Sequence, residues 1–166
     1  YIISKKTEGI YVVPNPGRVD RYDGKYIKHY NFSDDSIKLD SRIALNWLYM
    51  DSGNILWVIG QKGRIFRYDS QHDKFKLAYI HPELIRNKPQ AFLNYGYLDK
   101  NDRIWLCYKD SITWYDIRTG TTLHMPTPVN GEITAIEQTD SNHFFIGTGN
   151  GLFHAGIEKG KLNINA

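Results

Sequence analysis

Residues 53–69 read GNILWVIGQKGRIFRYD, and this stretch decides the fold. A Gly-Asn pair opens it, and Ile55–Ile59 is a run of β-favouring bulk. Gly60–Gly63 then breaks the run, and Ile65–Tyr68 resumes it before Asp69. Two short β-rich runs around a glycine-containing break read as a hairpin. The same phrase stands 46 residues earlier without a gap, where residues 7–23 read TEGIYVVPNPGRVDRYD. Six of the 17 positions are identical: Val12/Val58, Gly17/Gly63, Arg18/Arg64, Arg21/Arg67, Tyr22/Tyr68 and Asp23/Asp69.

Two further copies follow. At an offset of 48, Leu45, Asp51 and Trp57 are answered by Leu93, Asp99 and Trp105, and Arg67-Tyr68-Asp69 by Trp114-Tyr115-Asp116 one residue sooner. A further 40 residues on, Leu93 and Trp105 are answered by Ile133 and Phe145. Each unit reads as four short strands with turns between them, and no stretch of 12 or more residues carries a helical period. Periods of 40 to 48 residues with four strands each lie in the range of propeller blades. The expected fold is therefore all-β, a segment of about four antiparallel blades in a single fragment, 1–166. The blades span approximately 1–38, 39–88, 89–128 and 129–166. The first has a shortened opening strand, because Tyr1-Ile2 match Trp47-Leu48. One such sheet cannot cover both its faces, so the bulky residues Tyr11, Trp57, Trp105 and Phe145 are expected between stacked neighbours.

Composition narrows the classes. The 166 residues amount to about one domain. A net charge of +3 is too thin for a nucleic-acid surface. Aromatic residues at 14% rule out a disordered, charge-rich chain. The longest strictly apolar run, Ile55–Ile59, falls far short of the about 20 residues that cross a bilayer. Cys107 is the only cysteine, so the chain forms no internal disulfide. The first residue is Tyr rather than Met, which suggests an excised piece of a longer chain.

The pattern Leu45-x-x-Leu48-x-x-Asp51-x-Gly53-Asn54-x-Leu56-Trp57-Val58, then Gly63-x-Ile65-x-Arg67-Tyr68-Asp69, then Lys74-Phe75-x-x-x-Tyr79, resembles the two-component regulator propeller repeat. The likeness extends over essentially the whole chain. It thins in the third copy, where Gly63 becomes Asp110, and in the fourth, where Tyr68-Asp69 become Ala155-Gly156. The resemblance implies the periplasmic sensor region of a hybrid two-component sensor histidine kinase from a glycan-degrading gut bacterium. Sensors of that kind carry seven-bladed propellers ahead of a membrane helix and a kinase. It further implies that this soluble segment belongs to a membrane-anchored parent, with the remaining blades or a second copy as partners.

Motifs that could carry chemistry have plainer readings beside them. Asp51-Ser-Gly-Asn54 and Asp99-Lys-Asn-Asp102 have oxygen-rich spacing but lack the closing Glu of a calcium loop, so they read as Asx turns. The six histidines form no metal-spaced pair. Gly147-Thr-Gly-Asn-Gly151 lacks the helix and lysine of a phosphate loop and reads as a hairpin turn. Arg21/Arg67 and Asp23/Asp69 could meet an acidic glycan, or pair locally at a solvent-facing strand end. No cofactor and no metal is expected, and no paired acid and base stands outside the repeat.

One feature exceeds the repeat. Asn46, Trp47 and Tyr49 are echoed by Asn94, Tyr95 and Tyr97, while the fourth copy has Thr134-Ala135-Ile136-Glu137. By the propeller reading they lie on innermost strands. Rings beside amides suit a sugar, whose apolar face stacks while its hydroxyls need hydrogen bonds; packing around the channel is the alternative. The inter-blade connections 33–40, 81–88 and 125–131 carry further candidates, Asp34, Asp35, His81, Arg86 and Asn87. The expected function is binding or relaying an oligosaccharide signal, without catalysis, in the periplasm. The alternative is a protein–protein interaction or dimerisation scaffold with no ligand site of its own.

Overall fold

The structure is a computed structural model and describes residues 2–5, 9–14, 17–32, 44–82 and 92–165. The described residues form sixteen strands in four four-stranded antiparallel sheets, each following chain order from one edge to the other. The first sheet holds β1 (Ile2–Lys5), β2 (Gly9–Val12), β3 (Arg18–Tyr22) and β4 (Ile27–Asn31). The second holds β5 (Leu45–Met50), β6 (Leu56–Gly60), β7 (Ile65–Asp69) and β8 (Lys74–Tyr79). The third holds β9 (Tyr95–Leu98), β10 (Arg103–Cys107), β11 (Ser111–Asp116) and β12 (Thr122–Pro126). The fourth holds β13 (Ile133–Gln138), β14 (His143–Thr148), β15 (Gly151–Glu158) and β16 (Lys161–Asn165). Four such meanders in series are a propeller-like segment. The chain divides into two compact units, Tyr1–Pro89 and Gln90–Ala166, each holding two of the sheets.

The strand register reproduces the sequence offsets. Tyr11 faces Ile3 and Arg21 across its neighbours, and Trp57 faces Tyr49 and Arg67. Trp105 faces Tyr97 and Trp114, and Phe145 faces Glu137 and His154. The turn between first and second strands explains why Asp, a left-handed residue and Trp recur together. The Asp51 carboxylate accepts the Ile55 N–H at 2.8 Å and the Trp57 indole N–H at 2.7 Å. Asp99 does the same with Arg103 at 3.0 Å and Trp105 at 2.9 Å. Asn54 and Asp102 occupy the left-handed corner, both at φ 60°, a conformation that short polar side chains tolerate.

In the first unit, Tyr11, Val19, Tyr30 and Phe32 meet Leu48, Leu56, Val58, Phe66 and Tyr68 of the second sheet. In the second unit, Trp105, Cys107, Ile112 and Trp114 meet Ile133, Ile136, Phe144 and Ile146. Each buried side chain of this size is worth about 1.5–3 kcal/mol. Tyr11, Trp57 and Trp105 are buried as expected, but Phe145 is 41% exposed. Phe145 holds the register position of Trp105, but the fourth sheet meets the third through its other face: Phe144 lies 4.7 Å from Trp105, ring to ring, and Phe145 lies on the opposite face against His154.

Candidate functional site

The residues singled out on the first strands lie at an irregularity that pattern reading did not reveal. In the second sheet the register slips between Leu45, opposite Gly60, and Trp47, opposite Ile59, so Asn46 is the extra residue of a β-bulge. The fourth sheet slips in the same way between Ile133 and Ala135, at Thr134. In the third sheet Asn94 precedes the ladder, and its N–H reaches the Cys107 carbonyl at 2.9 Å. A bulge re-aims a side chain at a sheet edge, and here it falls at Asn46 in the second sheet and at Thr134 in the fourth.

The six residues fall in two sets of three, one in each unit. Asn46 and Tyr49 are half-buried, and Trp47 is buried. Asn94, Tyr95 and Tyr97 are half-buried, and the two tyrosines pack against the core of the second unit. The Tyr97 hydroxyl accepts the Gln138 N–H at 3.3 Å, and burial pushes its pKa up. The rings therefore serve packing as well as presenting edges. The Asn94 amide is different: its Nδ2 is buried and has no hydrogen-bond partner among the described residues. Of the connection residues, His81 is half-buried, whereas Asp34, Asp35, Arg86 and Asn87 lie outside the described residues.

A second polar constellation, unforeseen from the sequence, joins the first two sheets. Asp73, held at φ 46° in the β7–β8 turn, accepts the hydroxyls of Tyr30 and Tyr68 at 2.6 Å each. Lys28 Nζ lies 2.5 Å from its other oxygen, and Arg21 Nη1 lies 3.4 Å from the oxygen that the tyrosines share. Burial tends to raise the Asp73 pKa. Donation by Lys28, Tyr30 and Tyr68 and the Arg21 charge outweigh it and hold the carboxyl below its ordinary range. Burial, then the hydrogen bond to the Asp73 charge, push both tyrosines up. The repeated Arg21 thus reaches across to the neighbouring sheet rather than pairing with Asp23, whose carboxylate caps the N–H groups of Lys25 and Tyr26. Asp69 pairs instead with Lys76 at 2.5 Å and His72 at 2.7 Å. Beside this constellation a groove of about 520 Å³ opens between β4 and β8, floored by Tyr30, Phe32, Phe66, Phe75 and Leu77.

The remaining motifs are structural in detail. The carboxylates of Asp51 and Asp99 are filled by turn N–H groups and indoles. Among the described residues, no group of three or more His, Cys, Asp and Glu is placed to hold a metal. Thr148 pairs with Gly151, so the glycine-rich stretch is the two-residue hairpin between β14 and β15. His29, His72 and His143 each lie within 2.9 Å of an aspartate, and His124 lies 2.7 Å from Thr113 Oγ1. Cys107 is fully buried, and burial pushes its thiol far above the ordinary range.

No protein-family model matches the sequence, and no curated protein sequence does. Solved structures do resemble the fold. The extracellular domain of one hybrid two-component system from B. thetaiotaomicron superimposes with a TM-score of 0.71 at 18% identity, over 99% of this chain and 24% of that one. A second such domain from the same organism gives 0.72 at 13% identity, over 99% of this chain and 23% of that one. A catalytically inactive virginiamycin B lyase from Staphylococcus aureus with quinupristin gives 0.71 at 15% identity, over 98% and 53%. The chain thus spans about a quarter of the length of the two extracellular domains and shares their fold over that part.

Proposed function

We propose that this chain is part of the extracytoplasmic, periplasmic sensor region of a hybrid two-component kinase, where it binds or relays a saccharide signal without catalysing a reaction. The match of the whole chain to extracellular domains of hybrid two-component systems carries this reading. It agrees with the repeat pattern that resembles the regulator propeller. The ligand residues are Asn46, Trp47 and Tyr49 in one unit and Asn94, Tyr95 and Tyr97 in the other. The unfilled Asn94 Nδ2 supplies a donor for a sugar hydroxyl, and a buried donor left without an acceptor costs about 1–3 kcal/mol. The neighbouring rings supply an apolar wall. Signalling then consists of a shift between arrangements of the sensor, driven only as far as the ligand prefers one of them.

The repeat carboxylates support a non-catalytic role, because turn N–H groups, indoles and lysines already occupy Asp51, Asp69 and Asp99. The test is calorimetric titration of neutral and acidic oligosaccharides into wild type, Asn46→Ala and Asn94→Ala. These half-buried amides can be removed without emptying the core, whereas Trp47→Ala opens a cavity. Binding by wild type that weakens at least tenfold in either variant supports the reading. Silence from every glycan favours the scaffold alternative, and new reducing ends or unsaturated products on incubation overturn the non-catalytic assignment.

A further inference from the structure

The chain holds two Asn-Gly pairs, Asn130-Gly131 and Asn150-Gly151, and the fold brings them together. Asn130 lies in the connection from β12 to β13, and Asn150 in the hairpin between β14 and β15. The Asn130 carbonyl accepts an N–H of the Asn150 amide at 3.2 Å and the Thr148 hydroxyl at 3.4 Å. The same Asn150 amide lies along Gly131. A Cβ at Gly131 would stand 3.0 Å from Asn150 Nδ2, and φ there is +102°. Glycine is therefore the residue that this junction demands after Asn130.

That demand has a chemical consequence. The backbone nitrogen after an asparagine can attack the side-chain amide when no Cβ shields it and no ladder bond holds its N–H. The amide must also be free to turn, and water must reach the site. Asn130 meets every requirement. Gly131 precedes β13, and its N–H has no hydrogen-bond partner among the described residues. Such an N–H is bonded to water instead. Asn130 is exposed, and its side-chain amide makes no hydrogen bond among the described residues. Asn150 is also exposed but fails the test of freedom. Its amide is tied to the Asn130 carbonyl, and its own N–H donates to Thr148 Oγ1 at 3.1 Å. Gly151, which follows it, already belongs to β15 and is paired with Thr148.

We propose that Asn130 is a site of spontaneous deamidation, and that Asn150 is spared by the bond it makes to the same residue. The Gly131 nitrogen bonds to Asn130 Cγ, and the bond from Cγ to Nδ2 breaks. Ammonia leaves, carrying the proton that the Gly131 nitrogen gave up. Water then opens the resulting succinimide at one of its two carbonyls, which leaves aspartate or isoaspartate. Nothing is oxidised or reduced, and water is the only co-reactant. The product places a new negative charge in the connection from the third sheet to the fourth, and a change of charge of this kind alters local contacts. Its isoaspartyl form also lengthens the backbone there by a methylene group.

Incubation of the folded chain in mildly alkaline buffer tests this, beside the same incubation in guanidinium chloride. Later cleavage after Glu132 and Glu137 puts the two asparagines in separate peptides, and mass spectrometry reads the amide-to-acid gain in each. Enzymatic methylation of isoaspartyl carboxyls gives a second reading. In the folded chain Asn130 converts at least tenfold faster than Asn150. In denaturant the two rates converge, because only the fold distinguishes the pairs. Equal rates in the folded chain, or a faster Asn150, overturn the inference. An Asn130 that stays intact in the folded chain while both pairs convert in denaturant overturns it too, since the junction then shields the site.

Discussion

Replacing Asp73 with alanine tests the polar constellation that joins the first two sheets. Tyr30 and Tyr68 are 5% and 6% exposed, and both hydroxyls donate to Asp73 at 2.6 Å. Alanine leaves two nearly buried hydroxyls without their acceptor, at about 1–3 kcal/mol each. The ion pairs with Lys28 and Arg21 are partly exposed and add only about 0.2–1 kcal/mol. Water entering from the groove beside Tyr30 recovers some of the loss, so the expected destabilisation is about 2–4 kcal/mol. For a chain of this size, that lowers the melting midpoint by roughly 5–15 °C. Urea unfolding followed by circular dichroism reads it directly. A double-mutant cycle with Tyr68→Phe isolates the pair: once the hydroxyl is gone, removing Asp73 costs clearly less than in wild type. A loss under about 0.5 kcal/mol, or two single changes that simply add, refutes the reasoning.

Acid is the second probe of the same carboxylate. Its folded pKa is depressed relative to an unfolded value of about 3.9. Its stabilisation is therefore complete above that unfolded value and drains away as pH falls through the folded one; Asp73→Asn flattens this acid limb in a pH series of urea midpoints. Gly9→Ala is expected to cost about 2–4 kcal/mol, because φ is +115° and a Cβ would sit 2.2 Å from the Tyr22 carbonyl oxygen. Gly24→Ala, at φ +100° with nothing within 4 Å, costs only about 1–2 kcal/mol, and thermal melts of the pair check the contrast. Trp105→Phe keeps the bulk against Phe144 but removes the indole donor to Asp99, with an expected loss of about 1–2 kcal/mol in the same melts. Cys107, buried and with its thiol pushed up, stays unlabelled by a thiol reagent in the native chain and reacts on unfolding.

The strands and their register were legible because a period of two and a repeated turn leave strong marks. The Asp-to-Trp spacing of six residues carries an actual bond, Asp51 to Trp57 and Asp99 to Trp105, so the motif appears wherever the bond does. The strand position of Phe145 was legible, since it stands across from His154 as Trp105 stands across from Trp114, but its exposure was not, because a repeat aligns positions along strands and does not say which face a neighbouring sheet covers. The bulge at Asn46 escaped for a similar reason: an extra residue in one strand leaves composition unchanged and shows only in the pairing. The reach of Arg21 to Asp73 spans 52 residues, and Asp73 lies in a turn outside the repeated motif. No local pattern could couple those two positions.

The two sheet junctions show why a repeat fixes a fold without fixing its chemistry. Arg21 and Trp114 occupy one position of the repeat, each across from the bulky second-strand residue. Lys28 and Leu123 occupy another, each across from those two. In the first unit the position facing the next sheet is cationic, and Asp73 with two tyrosines answers it. In the second it is an indole against Trp105, capped by the Arg103 guanidinium 5.1 Å over its ring. The grooves follow suit: the one between β12 and β16, of about 460 Å³, is lined by Leu123, Met125, Pro126, Pro128 and Leu162. Both solutions keep the backbone ladder and bury the same stripe of side chains, so selection on the fold alone leaves these positions open. They are where one sheet junction differs from the next in chemistry while the ladder stays the same.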